Sequence, residues 1–144
     1  MLIQLTYASR SSRPVQREDV EHIINASKRN NPRLGITGAL CWANGIFLQQ
    51  LEGDRTAVNT LYRRIVADDR HRESIILDMA EISHRRFASW SMGLLTENKE
   101  NRAIFLKYSG SAEFDPFSMR SATLSQFFGD IIQHVKWLDN ATGN

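Results

Sequence analysis

The fold is decided by the stretch LGITGALCWANGIFLQQLEG, residues 34–53, in which two apolar runs flank an Asn-Gly pair at Asn44 and Gly45. Both residues tolerate the positive φ angles that a tight turn between antiparallel strands requires. The stretch therefore predicts a β-hairpin, with one strand from Leu34 to Trp42 and the next from Ile46 to Gly53.

Apolar periodicity on either side of the hairpin predicts the rest of the sheet and two helices. Strands are predicted over residues 2–8, 74–82 and 90–95, and helices over residues 16–29 and from Asp54 or Thr56 to about residues 68–69. Pro32 is expected to end the first helix. The order βαββαββ predicts an α+β, ferredoxin-like sandwich, in which two helices cover one face of a mixed five-stranded sheet.

Two polar side chains fall on strand faces that are otherwise apolar. Alternate residues of a strand share a face, so Tyr7 lies with the apolar residues two and four positions before it. Gln49 likewise lies with the apolar residues two positions before and after it. A buried amide without a partner costs about 1–3 kcal/mol. The two side chains are therefore expected to satisfy each other or to hold a polar ligand between them.

The first predicted helix carries hydrogen-bonding side chains on its apolar face. Val20 and Ile24 begin an apolar stripe, and Ile23 lies beside it. Ser27 and Asn31 continue the stripe at heptad-like spacing. Because both helices must pack their apolar stripes on the sheet, we expect this face to meet the phenol and the amide of the strands.

Length, cysteine count and charge limit the classes of protein to which the chain can belong. A chain of 144 residues is expected to form one compact unit with a core of its own, and a single cysteine, Cys41, excludes an internal disulfide. The net charge of +2 comes from nearly balanced charges, so no nucleic-acid partner is expected. The sequence has no apolar run of membrane-spanning length and no secretory leader pattern, which predicts a cytoplasmic protein without a membrane partner.

Basic side chains cluster near the end of the second predicted helix. The cluster comprises Arg63, Arg64, Arg70, His71 and Arg72. Two interpretations remain open, because such a cluster is either a phosphate-binding site or a solvated helix end.

The residues after position 95 differ in kind from those before it. A short helical stretch is predicted near residues 103–107, and a longer helix with regularly spaced apolar side chains over residues 119–137. Such a helix needs a surface to cover, and the exposed back of the sheet is available. We therefore expect a domain over residues 1–95 and a C-terminal helical extension over residues 96–144.

Several short motifs follow one another within residues 1–95. They are Tyr7, Asn30-Asn31-Pro32, Gly35-Ile36-Thr37-Gly38, Phe47-Leu48-Gln49-Gln50-Leu51-Glu52-Gly53, Asp69-Arg70-His71 and Trp90-Ser91-Met92. In order and spacing, the set resembles the BLUF domain, a blue-light sensor that uses FAD. The tail, with Leu106-Lys107-Tyr108-Ser109-Gly110 before an aromatic-rich helix, is similar to the short, PixD-type members.

The resemblance implies where each functional residue acts. The flavin ring would lie between the two helices, with Asn31 hydrogen-bonded to its C4 carbonyl and N3 edge and Asn30 nearby. A carboxamide suits that edge because it both donates and accepts. The residues expected to pack about the ring are Ile23, Ile24, Ser27 and Ile65, and those expected on the ribityl-phosphate side are Arg64 and His71.

The resemblance also implies the photochemistry and the output. Tyr7 would give an electron and a proton to the excited flavin through Gln49, whose amide ends rotated or tautomerised, so that absorption shifts reversibly to the red. Trp90 and Met92 would pass the change to the C-terminal helices. The resemblance implies two kinds of partner: other copies of the chain in a homo-oligomer, which is ring-like in relatives of this short type, and a separate downstream regulatory protein.

Two other classes of protein remain as alternatives. A small phosphoryl or acyl-phosphate hydrolase could use the same fold, but the sequence has no Gly-rich phosphate loop, metal-ligand spacing or nucleophile–base pair to support an enzyme. A protein-interaction module without a chromophore is the third class, and the joint presence of Tyr7, Asn31 and Gln49 argues against it. We therefore expect a sensor rather than an enzyme.

Overall fold

The computed structural model describes residues 1–88, 92–134 and 139–140, the last pair and His134 by their backbone alone. Six strands and four helices lie in these ranges. The strands are β1 Leu2–Ser11, β2 Thr37–Ala43, β3 Ile46–Asp54, β4 His71–Glu81, β5 Gly93–Thr96 and β6 Asp139–Asn140. The helices are α1 Arg17–Leu34, α2 Arg55–Ala67, α3 Arg102–Lys107 and α4 Ser121–His134, with one 3₁₀ turn at Pro116–Ser118.

The strands form one mixed sheet in the order β4-β1-β3-β2-β5-β6. Strand β3 lies at its centre and pairs antiparallel with both β1 and β2, while β5 runs parallel to β2. This α+β arrangement confirms the ferredoxin-like fold predicted from the order of the elements. The two-residue strand β6, which pairs with β5, was not predicted.

The two faces of the sheet carry separate cores. On one face, side chains of α1 and α2 such as Ile24 and Val58 pack against Leu5 and Leu51 of the strands. On the other face, Phe127 and its neighbours in α4 pack against a surface of mainly small side chains from β1, β2 and β3. Among the described residues, no helix is both long and apolar enough to cross a membrane.

The hairpin is formed as the sequence predicts. Asn44 and Gly45 have φ angles of 51° and 75°, as the tight turn requires, and β2 and β3 pair from Ala43–Ile46 down to Thr37–Glu52. Its first strand begins at Thr37 rather than Leu34, because α1 occupies the residues up to Leu34.

The prediction that Pro32 ends the first helix is wrong, because α1 runs through it to Leu34. A proline in the last turn removes one donor without preventing two more helical residues. The helix instead ends at Gly35, which has a φ of 66° and donates its N–H to the Pro32 carbonyl. Ile36 donates to the Asn31 carbonyl, completing a Schellman motif.

Other element ends differ from the predictions by a few residues. Strands β1 and β4 extend past their apolar runs because they pair with each other as far as Ser11 and His71. Helix α4 begins at Ser121 rather than Met119. Strand β5 spans Gly93–Thr96, and the expected strand start at Trp90 lies outside the described residues.

Two glycine-to-alanine substitutions are expected to change stability in opposite directions. A Cβ at Gly35 or at Gly129 would meet no atom within 4 Å, so neither change causes a clash. Gly35→Ala forces a positive φ on alanine and should lower the free energy of unfolding by about 1–2 kcal/mol. Gly129→Ala, inside α4, should raise it by about 0.5–1 kcal/mol. Urea unfolding of the wild type and both variants measures the two changes in the free energy of unfolding. Changes of the same sign in both variants would contradict this account of the α1 cap.

Candidate functional site

A cavity of about 220 Å³ lies between α1 and α2 on the inner face of the sheet. Both helices contribute apolar walls, and the strands contribute polar groups at its floor. The lining residues from the helices are Ile23, Ala26, Ser27, Asn30, Asn31, Leu61, Arg64 and Ile65. Those from the strands and the α2–β4 connection are Tyr7, Leu40, Gln49, Asp68, Arg70, His71 and Met92.

The floor of the cavity holds a chain of three hydrogen-bonded side chains. Tyr7 and Gln49 are directly opposite each other in the β1–β3 register. The Tyr7 hydroxyl donates to Gln49 Oε1, and Gln49 Nε2 donates to Met92 Sδ at 3.2 Å. All three side chains are buried. The phenol and the amide thus satisfy each other while both still line the cavity.

The Tyr7 phenol is held in its protonated form by its surroundings. Burial raises the pKa of Tyr7 well above its usual range, and the nearby Tyr62 and Asp68 add to the effect. The Tyr62 ring lies 5.2 Å from the Tyr7 ring, centroid to centroid. The Tyr7 hydroxyl thus remains a hydrogen-bond donor, and its acceptor is Gln49 Oε1.

Amide and hydroxyl groups from one stripe of α1 face the cavity from the side. Ser27, Asn30 and Asn31 lie in the second half of the helix, and Asn31 is almost fully buried. They are three and four residues apart, the spacing that puts helical residues on one face. A ligand in the cavity therefore meets both donors and acceptors along one edge.

An ion pair lies at the end of the cavity where α2 leads into β4. Arg70 Nη2 contacts Asp68 Oδ2 at 2.5 Å, and Arg70 Nε contacts Asp68 Oδ1 at 3.0 Å. This pairing lowers the pKa of Asp68 to about 2. Arg64, in the last turn of α2, is exposed at the same end. The charged end of the cavity is thus distinct from its buried, uncharged floor.

His71 contributes a neutral ring at this end. Burial lowers its pKa, so the imidazole is uncharged at neutral pH. Its Nδ1 lies 2.7 Å from Ser9 Oγ, and its ring centroid lies 4.6 Å from that of Phe47. His71 therefore contributes a neutral ring and a hydrogen bond to this end of the cavity, rather than a positive charge.

The Asp68–Arg70 pair predicts a small acid sensitivity. A folded-state pKa of about 2 lies below the ordinary value of 3.8, so the pair stabilises the fold above about pH 4 and loses this effect as the pH falls towards 2. Because the pair is open to solvent, its contribution should stay below about 1 kcal/mol. Urea unfolding between pH 7 and 3 should show a smaller loss of stability in Asp68→Asn than in the wild type. Asp69→Asn serves as the control, and a loss in Asp68→Asn equal to that of the wild type would contradict the assignment.

The structure brings most of the predicted site residues together. Ile23, Ser27 and Ile65 line the cavity beside the two asparagines, as do Arg64 and His71. Ile24 does not line it, because adjacent helical residues point about 100° apart, and its side chain lies in the core towards Leu94 of β5. Trp90 lies outside the described residues.

Sequence reasoning missed several lining residues. Three of them are apolar, and nothing in the sequence distinguishes them from ordinary core residues: Ala26, Leu40 and Leu61. Asp68 was seen only as part of a helix stop, and its pairing with Arg70 follows from the turn between α2 and β4. Spacing from Asn30 would have indicated Ala26, one turn earlier on the same face.

The cavity suits a flat heteroaromatic ring with a polar edge. Apolar side chains of α1 and α2 supply two facing walls, and the amides of Asn31 and Gln49 supply groups that both donate and accept. The charged side chains stand apart at one end, where a polar extension of such a ring would meet them. These features define a small α+β protein with a site for an aromatic cofactor between its first two helices.

The chain belongs to the BLUF family, described as sensors of blue light using FAD, whose family model matches residues 2–93. It is therefore a blue-light flavin sensor, and its chromophore is FAD. The match ends close to the start of β5, so the helices α3 and α4 lie beyond the residues that the family model matches.

Relatives and solved structures agree with the family. The photoactivated adenylate cyclase subunit beta of Euglena longa is 40% identical over 97 residues, which is 67% of this chain but 11% of the relative. BlsA in a photo-activated state superposes with a TM-score of 0.86 at 27% identity, covering 96% of this chain and 99% of that one. The dark-state structure of BlrB gives a TM-score of 0.72 at 38% identity, covering 88% and 94%. The chain spans about a tenth of the length of the curated relatives it matches.

Proposed function

We propose that this protein is a photosensor in which Tyr7 and Gln49 perform the primary chemistry and Met92 receives the first structural change. The hydrogen-bonded chain from the Tyr7 hydroxyl through the Gln49 amide to the Met92 sulfur carries this proposal. It connects a redox-active phenol to a strand, β5, that leads out of the site.

Side chains of both helices would hold the flavin. Ile23 and Ile65 would cover its ring, while Asn31, with Asn30 and Ser27, would bond its polar edge. Arg64 and Arg70 would meet its phosphates. The position of Asn31 on the cavity wall and the exposure of Arg64 support this division, because a buried amide presents a donor and an acceptor in a fixed place and exposed guanidiniums bind phosphate at little desolvation cost.

The chemistry would depend on the hydrogen bond from the Tyr7 hydroxyl to Gln49 Oε1. Blue light makes a bound flavin a strong oxidant. The Tyr7 ring would then lose an electron to that oxidant, while its hydroxyl proton would move along the hydrogen bond to Gln49 Oε1 and the Gln49 amide would give up one Nε2 proton towards the flavin. Both particles leave together, because burial makes the phenolate and the bare radical cation unfavourable. Both return to Tyr7 when the cycle closes.

The lasting change would lie in the Gln49 amide. In the structure, its Nε2 donates to Met92 Sδ. Sulfur is a weak acceptor and a thioether has no proton to give, so an amide that rotates its oxygen towards Met92 loses that bond. The Met92 side chain would then repack, together with β5 next to it.

One hydrogen bond does not suffice to drive a strong output. Its net value is about 1 kcal/mol, whereas moving a two-state element from 1:99 to 99:1 takes about 5.5 kcal/mol. The repacking of buried groups around Met92 must supply the rest. We expect helix α4 to respond to this repacking, since it covers the opposite face of the same sheet.

The output would pass to another molecule. Relatives of the same family include a bacterial light-regulated adenylyl cyclase, of which this chain covers 37% at 30% identity. We propose that residues 1–95 are the flavin domain, and that residues 96–144 carry the signal in the cytoplasm to a regulatory protein or to other copies of this chain.

A visible spectrum tests the proposed function directly. The protein purified in the dark should show a flavin spectrum that shifts red under blue light and reverts in the dark without added reagents. Denaturation should release the flavin, because nothing covalent holds it. A spectrum that bleaches instead of shifting, or does not respond, would contradict the proposal.

A further inference from the structure

Glu52 is a buried acidic side chain that the photochemistry does not use. It has no exposed surface, and it lies on β3 three residues after Gln49. Side chains alternate along a strand, so Gln49 points to the flavin cavity while Glu52 points to the opposite face. A carboxylate in such a position needs several donors to replace water.

Four donors from three separate parts of the chain meet the Glu52 carboxylate. Oε1 accepts from Thr37 Oγ1 at 3.0 Å and from the Phe87 backbone N–H at 2.9 Å. Oε2 accepts from Gln4 Nε2 at 3.2 Å and from the Arg86 backbone N–H at 2.7 Å. The carboxylate thus joins β1 and β2 to the segment after β4.

The segment held by Glu52, residues 82–88, also reaches α4. The Arg86 guanidinium donates to the Ser125 carbonyl at 3.2 Å and to Ser125 Oγ at 3.0 Å. Ser125 lies in the second turn of α4. Arg86 therefore has its backbone bonded to Glu52 of β3 and its side chain bonded to Ser125 of α4.

A second arginine fastens the same segment to the end of α1. Arg85 Nη2 donates to the Gly35 carbonyl at 2.7 Å, and Nη1 donates to the Glu52 carbonyl at 3.2 Å. The segment precedes β5 in the chain, and Met92 immediately precedes that strand. A shift of β5 and a shift of α4 would therefore both act on residues 82–88, which are anchored by Glu52.

We propose that Glu52 is a positioning residue that transmits the light-induced change to α4, by holding residues 86 and 87 so that Arg86 moves with the sheet. This inference rests on the proposed photochemistry and adds a route for its output. The route runs through the side of the sheet away from the flavin, from Glu52 through the backbone of Arg86 to Ser125.

Two variants break the route at different points. Glu52→Gln keeps the shape but replaces one acceptor oxygen with an NH₂ group, which leaves the N–H of Arg86 or of Phe87 without an acceptor. Arg86→Ala keeps the backbone N–H and its bond to Glu52, and removes only the contact with Ser125. Arg86 is exposed, so this variant should fold even if Glu52→Gln does not. Arg120→Ala, which removes another exposed arginine just before α4, is the matched control.

Hydrogen–deuterium exchange of α4, in the dark and under continuous blue light, reports the effect on full-length, flavin-loaded protein. In the wild type and in Arg120→Ala, α4 amides should exchange at different rates in light and dark. In Glu52→Gln and Arg86→Ala, the light and dark rates should become equal, while the visible red shift stays at its wild-type size. Because the two residues act in series, the double variant should lose no more than either single variant.

The outcomes separate the two proposals. If the wild type shows no red shift, the proposed function is wrong, whatever the exchange rates of the α4 amides. A wild type that shifts red while α4 exchanges identically in light and dark overturns this inference alone. So does an Arg86→Ala variant that keeps the full light–dark difference. A merely structural role for Glu52 would raise exchange in both states and leave their difference unchanged.

Discussion

Tyr7→Phe should retain the flavin and its dark spectrum but show no light-induced red shift. The substitution removes the only hydroxyl that donates to Gln49 Oε1 among the described contacts, and with it the proposed donor of the electron and the proton. The phenyl ring keeps the shape of the cavity floor. We expect complete loss of the shift and a fall in the free energy of unfolding of about 1–2 kcal/mol, from the amide oxygen left without its donor.

Tyr62→Phe provides the control for this result. It removes a hydroxyl from the neighbouring ring, whose contact is with Ser74 Oγ at 2.8 Å rather than with Gln49. The red shift should survive in this variant, measured by difference spectra after saturating blue light. A full red shift in Tyr7→Phe would show that another residue supplies the electron, and would remove Tyr7 from the mechanism.

Gln49→Leu should also abolish the red shift, for a different reason. The leucine leaves the phenol in place but removes both the acceptor of its proton and the donor to Met92 Sδ. Electron transfer from Tyr7 can then still quench the fluorescence of the excited flavin, but no amide remains to rearrange. Difference spectroscopy should show no stable red-shifted state, and transient absorption should show a shorter, unproductive cycle.

Gln50→Leu is the matched control, because it makes the same chemical change at the next residue. The Gln50 amide points to the other face of the sheet, where its Nε2 donates to Thr6 Oγ1 at 3.1 Å. Within the described structure its Oε1 has no partner, so the variant loses one hydrogen bond and also one unsatisfied group. Its red shift should match the wild type. Loss of the shift in both variants would mean that damage to β3, rather than the amide at position 49, is responsible.

Local chemistry explains which parts of the fold were predictable. The hairpin followed from Asn44 and Gly45, whose turn requires no distant contact. The phenol–amide pair followed from strand alternation, which left only a few ways to satisfy Tyr7 and Gln49. Element ends were less accurate, because Pro32 stops a helix only in the absence of a stronger cap, and Gly35 provides that cap.

Long-range contacts explain what the sequence did not reveal. The partners of Glu52 include the backbone N–H groups of residues 86 and 87, more than thirty positions away, and backbone donors leave no mark in a sequence. The resemblance assigned His71 to the phosphate side of the site, yet burial lowers its pKa and favours a neutral ring beside Phe47. In both cases the tertiary environment, not the residue type, determines the chemical role.

The alternation of side chains along β3 has a genetic consequence. In a random-mutagenesis screen of this strand, colonies should fall into two phenotypes that alternate with residue number. Damage at positions 47, 49 and 51 should alter the pigment or abolish the red shift, because these side chains belong to the cavity side of the sheet. Damage at positions 50 and 52 should leave pigmented cells with a normal red shift, and those altered at 52 should be unresponsive downstream, so that one six-residue window would separate light detection from signal output.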